Sequence, residues 1–123
     1  MITQFHYNKL TWIDIEDPTS EDIAHIIKEY NIHPTWANEL LIPSERAKTD
    51  TIHEAFYAVL HYHDHPSVLK ETRDLEIDYI VGEQFLITAH YAAVDTFLEL
   101  FKLLQVDAIL DRVTIEYGVV PFI

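Results

Sequence analysis

From Leu10 to Ile15 (LTWIDI) apolar and polar residues alternate, the period-two pattern of a strand with one buried face. Asp17-Pro18-Thr19 breaks it. Thr19 and Asp22 then have the spacing of a capping box, with Asp in place of the usual Glu or Gln. Ile23, Ile26, Ile27 and Tyr30 recur at i, i+3, i+4 and i+7, which predicts a helix from about Thr19 to Asn31. The acids Glu16-Asp17 and Glu21-Asp22 cluster where the helix dipole favours negative charge, so their first explanation is structural. His33-Pro34 opens a second helix, with Pro34 at its first position and Trp36, Leu40 and Leu41 on its buried side. Ile42-Pro43 ends it.

Ser44 to Thr51 (SERAKTDT) reads as a charged connector. Ile52 to Tyr62 is rich in β-branched and aromatic residues and predicts one long strand, followed by a loop from His63 to Thr72. Leu75–Val81 and Gln84–Thr88 read as paired strands joined by a two-residue type II′ turn at Gly82-Glu83. Glu76 and Asp78 share one face of the first, so that face is expected to meet water. Val94 to Leu104 returns to helical spacing through Phe97, Leu98, Phe101 and Leu104, and another helix is expected from near Asp107. Strand, two helices, strand, hairpin and helix together predict an α/β (α+β) domain: a mixed sheet flanked by helices, in a single three-layer-like unit.

Composition narrows the function. The chain has 123 residues, 49% of them hydrophobic, which suits one packed domain. Asp and Glu number 21 against 8 Lys and Arg, a formal charge of -13. Such a surface repels phosphate backbones, so nucleic acid is excluded as a partner, and it gains little from anionic lipid. It attracts cations, which relieve the self-repulsion of crowded carboxylates. Cysteine is absent, which removes disulfides, thiol nucleophiles and thiolate metal sites. No signal peptide is visible, and no run approaches the ~18 apolar residues of a membrane helix. Trp12 and Trp36 read as core residues. The last residues, GVVPFI, are apolar, as expected where a longer chain has been cut.

Two groups of residues could carry chemistry. His61, His63 and His65 form H-x-H-x-H, which on a strand would point three imidazoles from one face toward Zn2+ or another transition metal. Pro66 opposes this by ending the strand. Asn38 and Glu39 lie on the second helix just before Leu40-Leu41. No nucleophile–base pair, G-x-S-x-G, H-E-x-x-H or phosphate-binding loop is present, so an enzyme is not expected.

The order of motifs adds more than any one of them. Trp12-Ile13-Asp14, Asp17-Pro18, Asn31-Ile32-His33-Pro34, Asn38-Glu39-Leu40-Leu41 and Arg46-Ala47-Lys48 follow in turn. FYAVLHYHDHP and LEIDYIVGEQFLITAH come after them. From about Trp12 to Phe101 this series resembles the N-terminal cytoplasmic domain of the CorA-type magnesium and divalent-cation transport proteins. The resemblance implies a homopentameric channel in the cell membrane, with this domain on the cytoplasmic side and the stalk and membrane helices beyond Ile123. It implies Mg2+, with Co2+ as a second candidate, bound between protomers and favouring the closed state. Glu39 matches the second acid of the family's acidic pair. Asn38 replaces the first, and its amide oxygen can coordinate but neutralises no charge. The alternatives are a zinc-transporting relative using His61, His63 and His65, and a small soluble hydrolase.

Overall fold

The computed structural model describes residues 1–64 and 73–103. They fall into two compact units, Met1–Ala93 and the part beginning at Val94.

The first unit is a six-stranded mixed sheet with two helices on one face. Its strands are β1 (Ile2–Tyr7), β2 (Leu10–Glu16), β3 (Lys48–Ile52), β4 (Ala55–Asp64), β5 (Arg73–Val81) and β6 (Phe85–His90). Helices α1 (Ser20–Tyr30) and α2 (Pro34–Glu39) lie between β2 and β3 in the chain. The spatial order is β1-β2-β6-β5-β4-β3. All neighbours are antiparallel except β2 and β6, whose parallel register sets Asp14 opposite Thr88 and Glu16 opposite His90.

The local signals explain the elements. Thr19 caps α1, and the Thr19 and Asp22 side chains each bond the other's backbone N–H, completing the capping box. Asn31 ends the helix in the left-handed conformation. At α2, the His33 side chain accepts the Thr35 N–H at 3.1 Å, and Pro34 stands where a missing donor costs nothing. Ile23 and Ile26 of α1 and Trp36, Ala37 and Leu40 at α2 pack on Ile13, Ile15, Tyr57, Val59, Ile80 and Ile87 of the sheet. Each such large apolar side chain contributes about 1.5–3 kcal/mol on burial. Trp12 and Trp36 are both buried, as expected of core residues.

Three expectations need correction. The charged connector contains β3, an edge strand that ends at Ile52. A turn at His53-Glu54, with His53 at positive φ, separates it from β4, so the long strand is two. The β5–β6 turn is shifted by one residue: Val81 pairs with Leu86 and the Gly82 N–H bonds the Phe85 carbonyl at 2.9 Å, which leaves Glu83-Gln84, and not Gly82-Glu83, at the tip. Gly82 is needed there for space and not for a positive φ: a Cβ would overlap the Phe85 ring. Third, the β5 face carrying Glu76 and Asp78 does not meet water. Both residues are buried beside Tyr57 and Val59 on the helix side of the sheet.

Residues 95–103 of the second unit are helical, within the span expected from Val94 to Leu104. Phe97 and Phe101, one turn apart, set their ring centroids 6.4 Å from each other. The helix expected near Asp107 lies outside the described residues.

Candidate functional site

The exit from α2 is tied to the sheet at several points. The Trp36 indole N–H donates to Asp50 Oδ2 of β3 at 2.8 Å, and its ring stacks on Tyr57 at 5.6 Å. The Tyr91 hydroxyl donates to the Leu40 carbonyl at 2.9 Å. The Ser44 N–H donates to Glu76 Oε1 at 2.7 Å. Lys48 at the start of β3 pairs with Glu39 Oε2 at 2.7 Å and lies 5.9 Å above the Tyr57 ring. Four residues of α2 and the segment after it, Trp36, Glu39, Leu40 and Ser44, are thus anchored by groups from β3, β4, β5 and the segment following β6.

Under this exit lies a crowd of acids. Asp78 is 1% exposed and Glu76 9% exposed. Two residues apart on one strand, they point to the same face. Among the described residues neither oxygen of Asp78 has a hydrogen-bond partner, and neither do Glu76 Oε2 and the Tyr57 hydroxyl. Burial, then Glu76, and more weakly Glu39, hold the Asp78 carboxyl far above the usual carboxylate range, against the pull of Lys48. The same burial, with Asp78 and Glu39 nearby, pushes the Tyr57 hydroxyl well above its ordinary value. Open cavities flank the acids. One of about 380 Å³ is lined by Ser44, His61, Glu76 and Tyr91, among others. Another, of about 370 Å³, is bordered by Asn38, Glu39, Ser44 and Lys48.

The opposite face of the sheet holds an acid in a different setting. Asp14, 3% exposed, accepts from His90 Nε2 at 2.8 and 2.9 Å and from the Thr88 hydroxyl at 2.6 Å. Thr88 in turn accepts the Trp12 indole N–H at 2.9 Å. The other nitrogen of His90 lies 2.6 Å from the Ala92 carbonyl. Both ring nitrogens face acceptors, so the ring carries both protons. Burial pulls the His90 pKa down, but Asp14 and the Ala92 carbonyl outweigh it and leave it raised. Sequence reasoning missed this pair, although Asp14 and His90 both stand in the motifs that carry the resemblance.

The sequence-predicted candidates are spread out. Asn38 is exposed and Glu39 half-buried. They sit together at the end of α2, with Glu39 already engaged by Lys48. His61 is exposed on β4. His63 belongs to the same strand, which runs to Asp64 where a loop was expected, and His65 lies outside the described residues. Among the described residues no three His, Asp or Glu side chains are grouped to hold a metal ion.

Comparison with known proteins ties this geometry to a lineage. No curated protein matches the chain. Among solved structures, the complete CorA magnesium transporter from Methanocaldococcus jannaschii superposes with a TM-score of 0.65 at 17% identity, covering 85% of this chain and 32% of that one. The soluble domain of CorA from the same organism gives 0.64 at 15% identity, covering 80% of this chain and 38% of that one. The ZntB cytoplasmic domain from Vibrio parahaemolyticus RIMD 2210633 gives 0.62 at 16% identity, covering 82% and 41%. At these identities the structures show the fold, and the chain spans about a third of the complete transporter. No helix among the described residues is long and apolar enough to cross a membrane. The sequence description of the CorA-like Mg2+ transporter family matches residues 7–115, most of the chain, and the protein belongs to that family.

Proposed function

We propose that this chain is the cytoplasmic regulatory domain of a divalent-cation transporter, and that Mg2+ bound between protomers of a homopentamer acts through it on a pore carried elsewhere. Family membership and the fold support the domain assignment. The observation that carries the regulatory reading is Glu39: a half-buried carboxylate at the end of α2, held by one lysine on a chain of charge -13. Carboxylates that crowd at a subunit boundary repel, and a hydrated dication relieves that repulsion. Binding that favours one arrangement of the ring over another is then the coupling between ion and pore. Mg2+ keeps several of its waters, so a shared site of a few carboxylate and amide oxygens, Glu39 and Asn38 among them, suits a weak sensor. Co2+ would occupy the same oxygens.

Sedimentation velocity tests this. Mg2+, and not K+ at equal ionic strength, should promote association of the chain, and Glu39→Gln should weaken the response. A tight Mg2+ site in the monomer by calorimetry would contradict a shared site, as would association indifferent to Mg2+.

The continuation of β4 to Asp64 favours one second reading, since it places His61 and His63 at alternate positions of a single strand. A zinc site built on them, with His65, is removed if His63→Ala keeps the wild-type zinc affinity. The hydrolase alternative gains nothing from a family of transporters.

A further inference from the structure

We propose that Asp78 and Glu76 hold one proton between them and that this shared proton latches the segment after α2 to the sheet. The unpartnered buried side-chain atoms among the described residues are Tyr57 Oη, Glu76 Oε2 and both Asp78 oxygens, and all belong to neighbouring positions on β4 and β5. Buried polar atoms in native structures are rarely left this way. Two carboxylates side by side and out of water cannot both stay ionised. One proton resolves both difficulties. An Asp78 hydroxyl can donate to Glu76 Oε2, while Glu76 Oε1 keeps the Ser44 N–H at 2.7 Å. Burial, Glu76 and Glu39 all favour the proton on Asp78, and Lys48 alone opposes it.

The charged and titratable groups facing the pair come from every element around it. Tyr57 and His61 belong to β4, Lys48 to β3, Glu39 to α2, and Tyr91 to the segment after β6. Of these described groups only Lys48 carries a fixed positive charge, and Glu39 engages it. When the shared proton leaves, two adjacent buried anions remain. Their repulsion is relieved most directly by Glu76 swinging out, which releases Ser44. The segment that carries Glu39 at one end and Lys48 at the other then loses its tie to β5. The inference stands on the geometry of β4 and β5 and does not depend on the magnesium reading.

Carboxyl 13C shifts and amide hydrogen exchange of the complete chain, followed against pH, test the latch. Asp78 should titrate far above a free aspartate. The protection of the Ser44 amide, corrected for intrinsic exchange, should fall roughly tenfold per pH unit across the neutral range, because opening releases one proton. In Asp78→Asn, which keeps a donor and has no charge to develop, Ser44 protection should be independent of pH. Should that variant fail to fold, Glu76→Gln also removes one charge and should flatten the same dependence. An Asp78 carboxyl that titrates in the ordinary range would overturn the proposal. So would Ser44 protection that ignores pH in the wild type. A carboxyl ionised at neutral pH whose shift moves on adding Mg2+ would replace the proton with a bound cation and overturn it equally.

Discussion

Asp14 and Asp78 are the same residue type, on central strands of the same sheet, at nearly the same depth, and the structure treats them in opposite ways. Asp14 faces a protonated histidine and a threonine hydroxyl, so its charge is matched and its oxygens are occupied. Asp78 faces another acid, and among the described residues neither of its oxygens has a partner. Burial depth therefore does not decide what a buried acid does. The partner does: a cation fixes the charge in place, and a second carboxyl turns the site into a proton holder.

Breaking the matched pair should have the largest effect. His90→Ala leaves Asp14 buried without its cation, and about 3–5 kcal/mol of stability should be lost in urea denaturation. The pair also sets a pH dependence. The folded-state pKa of His90 is raised, so its contribution is complete below about pH 6.5, where the unfolded residue is also protonated, and is lost as pH rises through the folded value. A smaller effect is expected one bond further out. Thr88→Val removes the hydroxyl between the Trp12 indole and Asp14, and about 1–3 kcal/mol should be lost in the same measurement. The loss should remain below that of His90→Ala, since the histidine contact survives.

The two regions also differ in how far the sequence discloses them. Strand β2 and helix α1 were legible because their alternation, cap and apolar period agree with one another. Strand β3 was not. An edge strand pairs on one side only, and Lys48 and Asp50 look like solvated charges until Glu39 and the Trp36 indole are seen to meet them. The residue type of Asp78 suggests a place facing water. The contrary signal lay in its neighbours: Ile77, Tyr79 and Ile80 put apolar groups on both faces, as in a strand covered on both sides. The Asp14–His90 pair spans 76 positions and depends on the one parallel pairing in the sheet, which no local pattern announces. Of the site candidates, the adjacency of Asn38 and Glu39 followed from the sequence. The engagement of Glu39 by Lys48 did not, because it needs the turn from α2 into β3.

Urea denaturation of the wild type, Asp14→Asn and Asp78→Asn at about pH 5 and about pH 8 compares the two acids most directly. The folded protein holds on Asp78 a proton that the unfolded chain releases near pH 4, so wild-type stability should decline as pH rises from there. Asp14→Asn should be destabilised at both pH values. Asp78→Asn should lie near the wild type at the lower pH and exceed it at the higher, by a margin that grows with pH. Equal losses from the two substitutions, or an Asp78→Asn deficit that deepens as pH rises, would contradict the contrast between a paired acid and a proton-sharing one.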